Sequence, residues 1–151
     1  GYTLRNTLSD HGSVARGVCV VTPDGLLKEV VEHLKFERDG QGGKSLRADG
    51  SVMSLTGEEP VSMNFWGFTP SVFTRLEEQQ LEFFKTRGNE EKSEFLIPVS
   101  VDRMVRENKA RVKVLRSSAV WFGVTYREDR PVVIQNVQAL IARGVYPSSL
   151  W

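Results

Sequence analysis

Two kinds of hydrophobic pattern divide this chain into a strand-rich first part and a mixed second part. Residues 14–21 read VARGVCVV, and an apolar stretch returns over residues 26–34. Pro23-Asp24-Gly25 lies between them, and these residue types favour a tight turn. The pattern therefore predicts a β-hairpin over Arg16–Phe36. The alternation in Tyr2–Leu8 predicts a further strand, which begins so near Gly1 that the domain looks cut there.

The stretch Glu37–Pro60 is polar and rich in glycine, which predicts an exposed loop with a short edge strand near Ser51–Leu55. Gly40, Gly42 and Gly43 are followed by Lys44-Ser45, a faint likeness to a phosphate-binding loop. The spacing differs from GxxxxGK[ST], and no buried strand leads into it. We therefore interpret this stretch as a loop.

After Val61 the pattern alternates between strands and helices. It predicts strands over Val61–Phe68, Arg111–Leu115 and Ala119–Val124. One helix starts at Thr69-Pro70, with Phe73, Leu76, Leu81 and Phe84 on its buried face, and ends at Gly88-Asn89. A second helix contains Val101, Met104 and Val105 and stops near Asn108. We expect one domain over residues 1–151, with an α/β or α+β fold and a mixed β-sheet flanked by helices.

The segment Trp121–Ile141 combines the end of a strand, a polar turn and a helix. Pro131 suits the first turn of that helix, whose predicted buried face carries Val133, Ile134, Val137, Leu140 and Ile141. Ligands of open α/β sheets bind where a strand turns into a helix, so the polar turn is a candidate site. Asp129 in this turn is alternatively only the N-cap of the helix. The tail Gly144–Trp151 is expected to dock on the body through Tyr146, Pro147 and Trp151.

The composition of the chain mainly excludes classes of partner and of cellular location. The chain has 151 residues, of which 40% are hydrophobic and 26% charged, as in an ordinary soluble domain. The net charge of +1 gives no reason to expect a nucleic acid or an anionic membrane as a partner. No apolar run is long enough to span a bilayer, and no signal peptide is evident. The single Cys19 is expected to be a core thiol rather than a nucleophile, which points to the cytoplasm.

Few residues suggest chemistry by themselves. His11 and His33 lack the spacing of a zinc site, and no GxSxG nucleophile motif is present. Glu32 ends an apolar strand and is a candidate pocket carboxylate, while Asn64 is a polar residue in an apolar strand. A buried amide needs partners, which are either protein groups or a ligand.

The order of four segments resembles the second half of the sugar-phosphate nucleotidyltransferases, including glucose-1-phosphate thymidylyltransferases and N-acetylglucosamine-1-phosphate uridyltransferases. The closest pattern is that of bacterial members, and it covers essentially the whole chain. The segments are RGVCVVTPDGLLKEVVEHLKF, VSMNFWGFTPSVF, SEFLIPVSVDRMVRENKARVKVL and WFGVTYREDRPVVIQNVQALIARGVYP. The resemblance implies the C-terminal half of a Rossmann-like α/β domain of the GT-A-like kind. It also implies that the half that binds the nucleoside triphosphate is missing, since no GxGxR…K loop is found.

The resemblance assigns residues to the sugar-phosphate pocket. Gly17 would pack against the sugar, and Glu32 would bind its hydroxyls. Asn64 matches the family's amide, with Gly67 near but not at the usual glycine position. Glu94 matches the glutamate that opens a later helix.

The resemblance also implies a Mg²⁺ ion and a second metal ligand near Thr125. Threonine is a poor ligand for Mg²⁺, so Asp129 would take that role if the turn folds back. Lys113 would contact the phosphate, unless it is simply an exposed strand lysine.

The reaction implied is transfer of a nucleotidyl group from a nucleoside triphosphate to a sugar-1-phosphate, with release of pyrophosphate. The chain would supply the acceptor pocket and be inactive alone. The alternatives are a non-catalytic nucleotide-sugar-binding or oligomerisation module, and an unrelated α/β domain. The strand near Gly1 would need a partner, so self-association is a further expectation.

Overall fold

A computed structural model describes residues 1–46 and 50–149 of the chain, in which six strands form one sheet and three α-helices follow them. The strands are β1 (Tyr2–Thr3), β2 (Val14–Val21), β3 (Leu27–Asp39), β4 (Gly42–Leu46), β5 (Val52–Leu55) and β6 (Pro60–Ser62). The helices are α1 (Val72–Arg87), α2 (Ile97–Arg106) and α3 (Arg130–Ala142), with short 3-10 turns at Leu4–Thr7 and Arg127–Asp129. Across the sheet the order is β1-β6-β2-β3-β4-β5.

The sheet corrects the predicted fold class. Every strand pairing in the described part of the chain is antiparallel, so the expected mixed sheet of a Rossmann-like α/β half-domain is wrong. Strands β2 to β5 follow one another as hairpins, and connections this short join only antiparallel neighbours. The later predicted strands are mostly wrong. Val61–Phe68 joins the sheet only through β6, which ends at Ser62. Arg111–Leu115 contributes only an isolated bridge between Lys113 and Leu26, and residues 119–124 have no regular secondary structure. Strands thus precede helices, as in an α+β fold.

The predicted hairpin is confirmed as β2 and β3. Thr22 N–H donates to the carbonyl of Leu26 at 2.8 Å, and Gly25 N–H donates to the carbonyl of Thr22 at 2.8 Å. Gly25 has a φ of +81°, which glycine adopts without a Cβ penalty. The hairpin pairs Gly17 with Glu32, and this register positions the candidate site.

The prediction of an exposed loop over residues 37–60 is largely wrong, although the edge strand predicted within it is confirmed as β5. β3 continues to Asp39, and Gly42 and Gly43 begin β4. A Cβ on Gly42 would collide with the carbonyl of Leu55, and one on Gly43 would collide with the ring of Phe36. These glycines therefore allow close strand and ring packing instead of forming a phosphate loop.

Each face of the sheet has its own hydrophobic core. On one face Cys19 and Val30 pack with Val72 of α1 and with Val101 and Met104 of α2. The other face buries Leu4, Val14, Val18, Phe36 and Val61. The Asp102 carboxylate of α2 accepts a hydrogen bond from Val30 N–H at 2.8 Å, which fixes α2 against β3.

The three helices form where they were predicted, but two of them bury less surface than expected. α2 ends at Arg106, close to the predicted stop. In α1 only Val72 is buried, and Phe73, Leu81 and Phe84 are exposed, contrary to prediction. No residue of α3 is buried either, and Ile134 is exposed.

Tyr146 and Pro147 are exposed instead of docked, and Trp151 lies outside the described residues. Among the described residues, no helix has the length and apolar character needed to cross a bilayer.

Candidate binding site

Ser62, Gly17 and Glu32 lie side by side on the neighbouring strands β6, β2 and β3. Directly opposed residues of antiparallel strands point to the same face, so Ser62 and Glu32 flank the bare backbone of Gly17. A Cβ on Gly17 would lie 3.0 Å from Glu32 Oε2 and 3.3 Å from Ser62 Cβ. We call this row of three residues the Glu32 notch. It exists because the central residue has no side chain.

The carboxylate of Glu32 is the charged group of the notch. It is half-buried, and burial raises its pKa, while the charge of Arg16 acts in the opposite direction. Within residues 1–46 and 50–149 this carboxylate has neither a hydrogen bond nor an ion pair. Its two oxygens are therefore available as acceptors for donors of a ligand.

Asn64 differs from the prediction that it is a buried amide. It is exposed, because β6 has already ended at Ser62. Its φ of +54° lies in the left-handed region, and its backbone N–H donates to Ser62 Oγ at 3.2 Å. Asn64 therefore reaches the notch through its backbone, by way of Ser62, and its side chain points to solvent. Gly67 follows in the same segment and has no atom within 4 Å of a Cβ position.

Glu94 and Lys113 lie apart from this row. Glu94 is exposed in the segment before α2. Lys113 forms an isolated bridge with Leu26, and its Nζ donates to the carbonyl of Asp24 at the hairpin turn. The structure therefore places Lys113 at the tip of the β2–β3 hairpin.

The turn before α3 folds back on the Asp129 side chain, which was the condition for Asp129 to replace Thr125 as a metal ligand. Asp129 Oδ2 accepts hydrogen bonds from the backbone N–H groups of Tyr126 at 2.8 Å and Thr125 at 3.1 Å. Asp129 Oδ1 lies 3.3 Å from Ser9 Oγ and 3.9 Å from His11 Nε2. The Tyr126 N–H is the main cause that holds the pKa of Asp129 below its usual range. Asp129 therefore holds the 3-10 turn before α3. It occupies the N-cap position of α3, as predicted, but its side chain makes no capping hydrogen bond to that helix.

A magnesium ion would find few ligands in this turn. Asp129 Oδ2 is occupied by two N–H donors, and Thr125 offers only an exposed hydroxyl. The described residues contain no group of three His, Cys, Asp or Glu side chains able to hold a metal. Mg²⁺ commonly takes one or two carboxylates and completes its shell with phosphate oxygens and water. Asp129 can offer Oδ1 to such a shell, and Mg²⁺ binding remains a prediction.

A cavity of about 220 Å³ lies beside this turn. Its lining includes Arg5, Asn6, His11, Trp121, Phe122 and Asp129. Arg16 shows which face of the sheet this cavity occupies. The Arg16 guanidinium lies 5.0 Å from the centre of the Trp121 ring, and its Nε donates to the Thr7 carbonyl at 3.0 Å.

The cavity and the Glu32 notch lie on opposite faces of the sheet. Arg16 and Gly17 are consecutive residues of β2, so they point to opposite faces. The structure therefore brings Gly17 and Glu32 together, and Asn64 is linked to them only through Ser62. Thr125 and Asp129 lie on the other face of the sheet, away from the notch.

Ser62 is a candidate site residue that the sequence reasoning missed. The local pattern carries no signal for it, because its place beside Gly17 depends on the pairing of β6 with β2. The buried position predicted for Cys19 is confirmed, and burial raises its pKa to about 11, so it remains a thiol at neutral pH.

No protein-family model matches the sequence, and a search of curated proteins gives no match either. A functional assignment therefore depends on the Glu32 notch and on the sequence resemblance.

Proposed function

We propose that this chain is the acceptor-binding part of a sugar-phosphate nucleotidyltransferase. The observation that carries the proposal is the Glu32 carboxylate, which lies over Gly17 without a hydrogen-bond partner in the described residues. Sugar hydroxyls are donors that a carboxylate accepts. The sequence resemblance assigned sugar binding to Glu32 and to Gly17. Because Glu32 and Ser62 close over the Gly17 backbone, Glu32 would make the contact with the sugar.

In the proposed reaction, a phosphate oxygen of the bound sugar-1-phosphate attacks the α-phosphorus of a nucleoside triphosphate, and pyrophosphate leaves. Such transfers depend on alignment of the reactants and on neutralisation of their charge. The Glu32 notch would align the acceptor through its hydroxyls. Mg²⁺ would be held by the nucleotide phosphates, because Asp129 lies on the face of the sheet opposite the notch.

The same geometry favours a second candidate, a sugar-binding module without turnover. Glu32 and Asp129 lie on opposite faces of the sheet, so one substrate cannot contact both of them in this arrangement. The two candidates share the acceptor site and differ only in whether nucleotide is consumed.

Calorimetric titration of the full chain tests the proposal. The ligands are glucose-1-phosphate, N-acetylglucosamine-1-phosphate and a nucleoside triphosphate, each with and without Mg²⁺. We expect the sugar phosphates to bind and the triphosphate alone not to bind. Glu32→Gln should abolish binding, and Glu37→Gln, an exposed glutamate on the same strand, should not change it. Absence of binding by every sugar phosphate would contradict the proposal.

Pyrophosphate release from this chain identifies an enzyme. The assay mixes the chain with glucose-1-phosphate, a nucleoside triphosphate and Mg²⁺. Release that depends on Glu32 would contradict the module, whereas acceptor binding without release agrees with both the module and an acceptor part that is inactive alone.

A further inference from the structure

We infer that the Ser62 hydroxyl, and not the Asn64 amide, is the second side-chain group that selects the sugar hydroxyl bound by Glu32. This inference rests on the proposed function, because it names a specificity-determining residue of the same acceptor site. It goes beyond the resemblance, which assigned that role to Asn64.

The position of Ser62 is the first observation. Ser62 pairs with Gly17 from one side of β2, and Glu32 pairs with Gly17 from the other side. Ser62 Cβ and Glu32 Oε2 lie 3.3 Å and 3.0 Å from the same point above Gly17. Both side chains therefore lie next to each other over Gly17, on the same face of the sheet.

The hydrogen bonding of Ser62 is the second observation. Ser62 Oγ accepts the N–H of Asn64, which leaves the hydroxyl proton to be donated elsewhere. No acceptor for that proton is found in the described residues. A hydroxyl of the sugar could accept from Ser62 while it donates to Glu32. A ligand that lacks this hydroxyl would leave both protein groups unpaired, and sites built in this way reject such ligands strongly.

Asn64 has a different part in this arrangement. Its side chain is exposed, and its contribution is the backbone N–H that holds Ser62 Oγ. The left-handed φ of Asn64 presents this N–H to Ser62, and glycine adopts the same conformation readily. Asn64→Gly therefore removes the amide while it preserves the turn.

The test is calorimetric titration of glucose-1-phosphate into the wild-type chain and into its variants Ser62→Ala, Asn64→Gly and Glu32→Gln. Circular dichroism and Tm confirm that each variant is folded. We expect Ser62→Ala to weaken binding about tenfold, the effect of one lost hydrogen bond. Asn64→Gly should bind within about twofold of the wild type, since no contact with the ligand is lost.

Monodeoxy analogues of glucose-1-phosphate distinguish a direct contact from a structural effect. Ser62→Ala should not weaken binding of the analogue that lacks the contacted hydroxyl, whereas a distorted site would weaken binding of every analogue equally. The inference is overturned if Ser62→Ala binds like the wild type, if it weakens all analogues alike, or if Asn64→Gly loses binding. In each of these cases only the inference about Ser62 fails, and the proposed function is kept as long as Glu32→Gln still abolishes binding. If the wild type binds no sugar phosphate, both the inference and the proposed function fail.

Discussion

Glu32 Oε2 lies 3.0 Å from the point that a Cβ on Gly17 would occupy, although the two residues belong to different strands. The carboxylate can lie over β2 only because residue 17 has no side chain. Gly17 and Glu32 therefore form one structural unit. This explains why a glycine stands in the middle of a buried strand, where it normally weakens the sheet.

Gly17→Ala should reduce acceptor binding much more than stability. The added methyl group would meet the carboxylate, Ser62 Cβ and Val30 Cγ2, so Glu32 must move away from the notch. Overpacking of this kind costs about 1–3 kcal/mol, partly offset by the lower entropy of the unfolded chain. Gly67→Ala is the matched control, because nothing lies within 4 Å of its added Cβ. Urea unfolding and titration of glucose-1-phosphate measure both effects, and equal binding by Gly17→Ala and the wild type would contradict the prediction.

Glu32 should make stability depend on pH. Burial raises the pKa of Glu32, so the folded state binds this proton more tightly than the unfolded chain, in which glutamate has a pKa of about 4.3. This contribution to stability is complete below the unfolded pKa and is lost as pH rises through the folded pKa. The free energy of unfolding of the wild type should therefore fall relative to that of Glu32→Gln as pH rises from about 4. Urea unfolding of both proteins between pH 4 and 7 measures this, and parallel pH profiles would contradict it.

Asp129 should show the opposite sign. Its pKa is lowered, so its contribution is present above the unfolded value of about 3.9 and is lost as pH falls through the folded pKa. The amide proton resonances of Thr125 and Tyr126 should follow this titration, because both groups donate to Asp129 Oδ2. In Asp129→Asn the titration should disappear, and the amides of Thr125 and Tyr126 should become less protected from hydrogen exchange. A midpoint at or above 3.9 in the wild type would show that these hydrogen bonds do not form.

Phe36 should be among the most important residues for stability. It is fully buried, with 0% exposure, in the core opposite the notch. Phe36→Ala should therefore destabilise the protein by about 3–5 kcal/mol. Phe65, which is 95% exposed, provides the control, and Phe65→Ala should stay within about 0.5 kcal/mol of the wild type. Equal unfolding midpoints for the two variants would contradict this placement of the core.

Local patterns in the sequence predicted local structure well. The β2–β3 hairpin follows from two apolar runs and the turn residues between them, and α2 follows from its helical spacing. The pairing of Gly17 with Glu32 depends on the register of that hairpin, so this part of the site could be anticipated. Asn64 could not be placed correctly, because its left-handed backbone ends β6 earlier than the apolar pattern suggests.

The same local patterns could not predict which distant segments of the chain pair or pack with one another. Residues 119–124 have the composition of a buried strand, yet they lie beside the sheet, where Trp121 N–H donates to the carbonyl of Asn6 at 3.0 Å. β-propensity describes a residue that fits a half-buried surface, and Trp121 obtains such a surface from the guanidinium of Arg16. Without that strand the sheet has no parallel pairing, and the predicted metal residues are placed on the face opposite Glu32.

Titration of the ¹⁵N-labelled chain with glucose-1-phosphate, followed by amide chemical shifts, tests the central claim most directly. Binding at the Glu32 notch predicts that the largest shifts occur at Gly17, Glu32 and Ser62, and that Glu32→Gln removes them. The resonances of Asn6 and Trp121, on the other face of the sheet, should stay unchanged. Shifts confined to Asn6, Trp121 and Asp129, or no shifts at millimolar ligand, would contradict the assignment of the notch as an acceptor site.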